Sequence, residues 1–314
     1  MGPTRSILTL KLPARFDLAS AVCRYGYFLL APNRWDPRTR RLHRPLQGHN
    51  DRIIHVTISH APSSDRLRIV CDRRVRPDER PQIRRHVARM LRLDEDFAAW
   101  HKLHPAARRA RFDRLFRSPT LFEDIVKTIT GCNVTWPNTI RMNTLLCEKV
   151  GGGAFPTPKQ LAAVRPGTLK ARCKVGYRAE RIVRLARQVV RGELDLDWFE
   201  NPTHSTQAVY DRLRKIHGIG HYAAANLCQL LGRYDRIAID TETYRHFRQV
   251  HQLSTPDDPR KLHPTIEAHF ARYAPYQFLA YWFELWTGYE KRFNDARTWT
   301  ATDPAMGITA ANLK

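Results

Sequence analysis

The sequence predicts an α+β protein, with a small β-sheet domain over residues 1–95 followed by a larger, mainly helical domain over 96–293. Three observations predict it. Strand-like apolar runs are confined to the first 75 or so residues. From about residue 95 onward helical spacing replaces them. Short Pro/Gly clusters then separate one amphipathic run from the next. The sequence shows no internal repeat.

Taken in order, SILTLKL, RIIHVTIS and RLRIVCD alternate or run apolar and read as strands. Turn signals lie between them at Pro32–Asn33, Gly48–Asn50 and Pro62–Asp65. Arg76–Leu93 reads as a helix, with Val87, Met90 and Leu91 on one face. Helical runs follow over 94–103, 105–116, 120–131, 137–150, 158–164, 167–172, 178–191, 205–216, 221–231, 241–250, 262–272 and 275–289. Their punctuators are Ser118–Pro119, Gly151–Gly153, Gly176, Asn201–Pro202 and Pro256–Pro259. Residues 294–314 are polar and small and are expected to form a loose tail.

Composition narrows the partners. Hydrophobic residues make up 42% of the 314, enough for a core. Against 30 acidic residues stand 53 Lys and Arg, a net charge of +23 and a pI of about 10.4. A chain this basic repels itself unless it meets a polyanion, which points to nucleic acid; an arginine-biased genome is the blander explanation. The six cysteines lie apart with no C-x-x-C, so neither a zinc site nor an iron–sulfur cluster is expected. They read as reduced, mostly buried thiols of an intracellular protein, of the cytoplasm or nucleoid, or of the nucleus if eukaryotic. No secretory signal and no apolar run of spanning length occurs, so no membrane is expected. The opening MGPTRS formally fits a myristoylation pattern, but the following ILTLKL reads as a strand.

The stretch Lys215–Asn226, KIHGIGHYAAAN, carries the functional signal. Val209, Leu213 and Ile216 precede it with helical spacing, and Ala224, Leu227, Cys228 and Leu231 follow it likewise. Its glycines therefore join two helices over 208–231, where positive φ or close backbone approach is needed. The bare N–H groups at the second helix's start can cradle a phosphate, aided by the helix dipole. A plain tight turn between packed helices is the alternative. Gly218, Gly220 and Ala223 also fit G-x-G-x-x-A, but that dinucleotide fingerprint needs a preceding strand, and DRLRKIH is polar and helical. Asp240 lies twenty residues past Gly220, after Ile237-Ala238-Ile239 and before Thr241-Glu242-Thr243. A helix cap explains that position; a cap at the mouth of a groove also holds a carboxylate toward DNA.

At these residues the chain resembles the helix–hairpin–helix (HhH-GPD) superfamily of base-excision DNA glycosylases. Their pattern is L-x-x-[IL]-x-G-[IV]-G-x-x-[TVA]-A with an Asp about twenty residues on. Leu213, Ile216, Gly218, Ile219, Gly220, Ala223, Ala224 and Asp240 match it here. SPTLFEDIVKTITGCN (118–133) is similar to the family's first helix and the loop after it. Phe155-Pro156 and VGYRA (175–179) are similar to segments of the 8-oxoguanine branch, and Ala274–Trp286 to the aromatic closing helix of that branch and the alkyladenine branch. The resemblance implies an antiparallel N-terminal sheet and covers about 280 residues, most tightly 118–286.

It also implies roles. Asp240 would be the catalytic carboxylate that stabilises positive charge on the sugar and orients a water. Tyr222 stands where bifunctional members carry a lysine; a phenol cannot form a Schiff base, so a monofunctional enzyme is expected, with Tyr222 stacking on the flipped base. Asn133 and Tyr177 would fill the gap left by that base, with Arg178 on the orphan base or a phosphate. Asn138 stands where the 8-oxoguanine branch has an arginine, which leaves opposite-base recognition open. Tyr281, Trp282 and Trp286 would line the base pocket, in competition with plain core packing, and Trp136 and the aromatic segment Tyr25–Trp35 are weaker candidates. Gly218, Ile219, Gly220, His221 and Glu242 would lie at the DNA. No metal site and no cofactor is expected beyond a monovalent cation at the hairpin carbonyls. Arg108–Arg117 reads as a solvated helix face that adds phosphate affinity.

The expectation is thus a monomeric, monofunctional DNA glycosylase acting on double-stranded DNA and leaving an abasic site. Its base would be an alkylated purine, an 8-oxoguanine-like lesion or a bulky base of foreign DNA. The alternatives are a non-catalytic DNA clamp and a glycosylase/lyase using another lysine such as Lys215.

Overall fold

The computed structural model describes residues 5–48, 52–254 and 258–301. Most of the opening MGPTRS, Asn50 of one expected turn, Pro256 and residues 302–314 of the expected tail lie outside the described residues.

Five strands form one antiparallel sheet: β1 (Ser6–Lys11), β2 (Arg34–Asp36), β3 (Arg41–Gln47), β4 (Ile53–His60) and β5 (Arg66–Cys71), in the order β1-β5-β4-β3-β2. Helix α1 (Leu18–Cys23) and a 3₁₀ turn (Gly26–Leu29) connect β1 to β2, and α2 (Glu79–Met90) follows the sheet. The rest is helical: α3 (Ala98–Leu103), α4 (Pro105–Arg109), α5 (Leu121–Gly131), α6 (Trp136–Lys149), α7 (Pro158–Ala163), α8 (Pro166–Cys173), α9 (Arg178–Val190), α10 (Asp197–Glu200), α11 (Thr206–Arg214), α12 (His221–Leu230), α13 (Thr241–His251), α14 (His263–Ala271) and α15 (Gln277–Phe293). Among the described residues no helix is long and apolar enough to cross a membrane.

Caps place several of these starts where the sequence does. Thr120 accepts from Glu123 N–H at α5, Ser205 from Ala208 N–H at α11, and Asp240 from Thr243 N–H at α13. Strand β3 escapes a simple pattern reading because its inward positions are Leu42, Arg44 and Leu46. The fully buried Arg44 is held there by Glu123 of α5 at 2.5 Å, and Glu123 also pairs with the buried Lys127 at 2.7 Å. One continuous core runs from the sheet, through Leu42, Ile54 and Ile69, to Phe116, Ile125 and Val126 of the helical region.

Three expectations are corrected. The run 105–116 is not one helix and Arg108–Arg117 is not a solvated face. Helix α4 ends at Arg109, Arg111 turns the chain at φ 51°, and an irregular segment buries Phe112, Leu115 and Phe116. The helical spacing of those three side chains mimics a stripe. Arg114 donates to the Arg92 and Glu95 carbonyls, and Arg117 to those of Arg89 and Leu230, both at 2.8 Å; these buried guanidinium groups satisfy backbone oxygens. Nor is the chain loose from residue 294. Asp295 caps a 3₁₀ turn over Ala296–Thr298, and Trp299 is buried 5.4 Å from Trp286.

Candidate active site

The hairpin between α11 and α12 has one glycine that conformation demands and one that it does not. Gly218 sits at φ 89°, in the left-handed region. Gly220 is extended, and a Cβ there would meet only Arg214 Nη1, at 3.9 Å. Gly220 is also the N-cap of α12, and no side chain caps that end. Its bareness leaves room for an approach from outside to the uncapped N–H groups of α12. The Ile216 carbonyl accepts from Ile219 N–H, and the Ile219 carbonyl from Arg214 at 3.1 Å, so a cation at the hairpin would compete with both donors.

A groove runs past this turn, lined by Asn133, Arg181, Gly218, Gly220, His221 and Asp240 among others. Asn133 is exposed at φ 53°, at the tip of the loop between α5 and α6. Tyr177 is half-exposed, its ring flanked by the guanidinium groups of Arg178 at 4.6 Å and Arg181 at 4.7 Å. Arg178 itself is buried and donates to the Cys132 and Asn133 carbonyls. It thus braces the loop that carries Asn133, and its own charge is turned inward. His221 is exposed at the first turn of α12, 2.7 Å from Tyr210 Oη. Asn138 is exposed on α6 and donates to Thr135 Oγ1.

Beside the groove lies a cavity of about 450 Å³, within the range of small-molecule sites. Its walls bring together Trp136, Tyr222, Tyr281, Trp282 and Trp286. The sequence reading missed Tyr289, Trp299, Asn226 and Lys127, and gave only weak weight to Tyr25 and Tyr27. Tyr289 continues the stripe of α15 one turn beyond Trp286, and that spacing could have found it. Trp299 carried no signal, being one aromatic residue in a polar segment. Trp136 closes over Gly26, where a Cβ would come within 3.0 Å of the indole. Trp282 stacks between Phe278 at 5.8 Å and Trp286 at 5.6 Å and donates its Nε1–H to the Arg24 carbonyl. Trp35, by contrast, is buried under the C-terminal 3₁₀ turn and donates to the Arg297 carbonyl.

Asp240 and Tyr222 line both the groove and the cavity. Asp240 Oδ1 accepts from Thr243 N–H at 2.9 Å and from Thr243 Oγ1 at 3.0 Å. Burial raises its pKa above the ordinary 3.8; the Thr243 hydrogen bonds oppose that rise and the nearby Glu242 charge adds to it. Burial, and then the Asp240 charge, push the Tyr222 and Tyr281 hydroxyls well above 10. Glu242, expected at the DNA, is turned into the cavity wall instead. Its carboxylate pairs with Arg245 at 2.5 Å and accepts from Tyr289 Oη at 2.7 Å. Lys127 also lines the cavity, but its ammonium is buried against Glu123; desolvation lowers its pKa and the Glu123 charge opposes that. Lys215 is exposed at the end of α11 and lines neither groove nor cavity.

The arrangement offers a basic groove with free amide donors, a half-buried carboxylate at its edge, and an aromatic chamber directly behind. Residues 126–271 match the model of the HhH-GPD superfamily base excision DNA repair protein family. The fold is similar to that of a 3-methyladenine DNA-glycosylase from Archaeoglobus fulgidus, at TM-score 0.67 and 17% identity over 91% of this chain and 99% of that one. It is also similar to MBOgg1 in complex with a low-affinity DNA ligand, at TM-score 0.67 and 18% identity over 93% and 100%. An 8-oxoguanine glycosylase/lyase from Clostridium acetobutylicum aligns at TM-score 0.56 and 17% identity over 82% and 93%. At these identities the likeness establishes the fold. No curated protein matches the chain by sequence.

Proposed function

We propose that this chain, whose residues 126–271 belong to the HhH-GPD superfamily of base excision DNA repair proteins, is a monofunctional DNA glycosylase. The observation that carries this reading is the place of Asp240, on the edge shared by the hairpin groove and the aromatic cavity. Duplex DNA lies along the groove, its backbone phosphate on the N–H groups of α12. The target nucleotide swings into the cavity, and Asn133 and Tyr177 enter the space it leaves. As the N-glycosidic bond lengthens, positive charge develops on the sugar. The Asp240 carboxylate stabilises it in a site of low dielectric and orients the water that adds to the anomeric carbon. The base leaves, and the product is an abasic site in an intact strand. No cofactor is needed for this chemistry, and the enzyme acts as a monomer.

Tyr222 supports the absence of strand cleavage, since its phenol has no amine to attack the sugar. The walls of the cavity favour a flat, electron-poor base. Indole and phenol faces attract cationic rings most strongly, so an alkylated purine is the first candidate, as in the 3-methyladenine enzyme of similar fold. A lyase reading has one specific point in its favour, a lysine in the cavity wall, Lys127. Its ion pair with Glu123 and its burial speak against attack on a sugar at the cavity mouth.

The test uses duplex oligonucleotides carrying alkylated purines, 8-oxoguanine, uracil or glucosylated cytosine, with products resolved before and after hot alkali. Breaks only after alkali support the reading and name the base. Breaks without alkali overturn monofunctionality and direct attention to Lys127. Tight binding with no breaks on any substrate favours a DNA clamp without catalysis.

A further inference from the structure

On the far side of the cavity-forming helices sits a cluster that base excision does not use. His246 and His251 lie on α13, His269 on α14 and Glu284 on α15. His246 Nε2 is 3.0 Å from Glu284 Oε1, and His251 Nε2 is 3.5 Å from the same oxygen. The His251 and His269 rings are 4.4 Å apart, and Phe247 packs against both, at 4.3 and 5.4 Å. One donor atom each from His251, His269 and Glu284 falls within 4.8 Å of the others. His251 Nε2 is buried and makes no well-formed hydrogen bond, a condition that native proteins seldom leave unanswered.

We propose that His251, His269 and Glu284 form a binding site for a divalent transition-metal ion of the zinc type. Two imidazoles and one carboxylate are the donor set of such ions; calcium and magnesium prefer all-oxygen sites. Ligands around a tetrahedral ion at 2.0–2.1 Å stand about 3.3 Å apart, so side-chain rotations of about 1.5 Å close the site. His246 donates to Glu284 and holds the carboxylate toward the ion, as groups behind metal ligands do. The fourth position is left to water. The residues stand 5, 18 and 15 positions apart in the chain, a spacing with no sequence signature, because three helices bring them together. The consequence is mechanical. Asp240 caps helix α13, and α15 carries Tyr281, Trp282 and Trp286, so one ion would fasten the carboxylate's helix to the aromatic wall.

The test needs no glycosylase activity. Untagged protein, stripped with a chelator, is titrated with Zn²⁺ by calorimetry and with Co²⁺ by visible absorption. The expected result is one equivalent bound, a tetrahedral Co²⁺ spectrum, and a melting temperature raised by about 5 °C at a hundredfold excess over Kd. Glu284→Gln, which keeps the side chain's shape, and His269→Ala should each weaken binding more than tenfold. His246→Ala should weaken it about 10- to 100-fold with stoichiometry unchanged. No stoichiometric binding, or equal affinity in a His251→Ala/His269→Ala variant, overturns the site. Equal affinity in Glu284→Gln alone, with its fold confirmed by circular dichroism, removes the carboxylate and with it the proposed link to α15.

Discussion

Tyr281 is joined to Asp240 through a single hydroxyl. Thr243 Oγ1 lies 2.9 Å from Tyr281 Oη and 3.0 Å from Asp240 Oδ1. An ionised carboxylate only accepts, so Thr243 donates to Asp240 and Tyr281 donates to Thr243. The same Thr243 supplies the backbone N–H of the cap. The cap thus fixes the carboxylate's direction, and burial beside Glu242 keeps its charge costly.

That cost gives the first prediction. Asp240 titrates above its ordinary 3.8 in the folded chain, with Tyr222, Glu242 and Tyr281 as its titratable neighbours. A raised folded pKa means that its favourable contribution is present below the unfolded value and lost as pH rises through the folded one. At neutral pH the ionised group therefore opposes folding. Asp240→Asn keeps the Oδ1 cap and removes the charge. Base release should fall by about 10²- to 10³-fold or more, while DNA affinity holds and the melting temperature at pH 7 stays level or rises. Normal excision by this variant removes Asp240 from the chemistry; a large drop in melting temperature contradicts the charge argument.

The relay gives the second. Tyr281→Phe removes the donor to Thr243 without changing the cavity's apolar shape. Thr243 then donates less strongly to Asp240, whose pKa rises further. In single-turnover excision, the acid limb of the rate–pH profile should lie above 3.8 in the wild type and move upward in the variant, with the plateau lowered by about 3- to 10-fold. An unmoved limb would show that Tyr281 serves packing alone.

Much of this site was legible because its markers are local. The hairpin glycines, the cap at Asp240 and the spacing of Tyr281, Trp282 and Trp286 each follow from helix periodicity and turn chemistry. What was hidden depends on distant partners. Strand β3 goes unread because its inward Arg44 breaks the apolar alternation, and only Glu123 of α5 makes that position a buried one. Arg114 and Arg117 read as surface charge until the carbonyls that they satisfy are known. Arg178 and Glu242 were placed at the DNA by position in the motif. Their charges are turned instead to the Cys132 and Asn133 carbonyls and to Arg245.

Tyr222 gives a prediction about the sugar's position. It lines both groove and cavity, and its hydroxyl lies close enough to Asp240 for the carboxylate to raise its pKa. On the proposed reading, a lysine there would meet the anomeric carbon. Tyr222→Lys should form a covalent adduct with substrate DNA on borohydride reduction, where the wild type forms none. The absence of any adduct, with base release retained, would place the sugar away from this residue.

The two hairpin glycines should separate folding from binding. Gly218 needs its left-handed backbone, and a Cβ there would come within 2.4 Å of Arg181 Cδ. Gly218→Ala should therefore lower stability by roughly 1–3 kcal/mol, read as a fall in the denaturation midpoint. Gly220 is under no such demand, and a Cβ has room. Gly220→Val should lower the midpoint less than Gly218→Ala does, by the cost of replacing a glycine N-cap, yet weaken duplex binding by about tenfold for every sequence alike. Its side chain would stand between the N–H groups of α12 and the phosphate. Because the contact is made by neutral N–H groups and not by a cationic side chain, the loss should persist across salt concentrations, with the slope of log affinity against log salt unchanged. Equal losses of stability in both variants would mean that Gly220 serves the fold. Unchanged affinity in Gly220→Val would take the hairpin out of the interface and leave the groove near Asn133 and Tyr177 to carry the DNA.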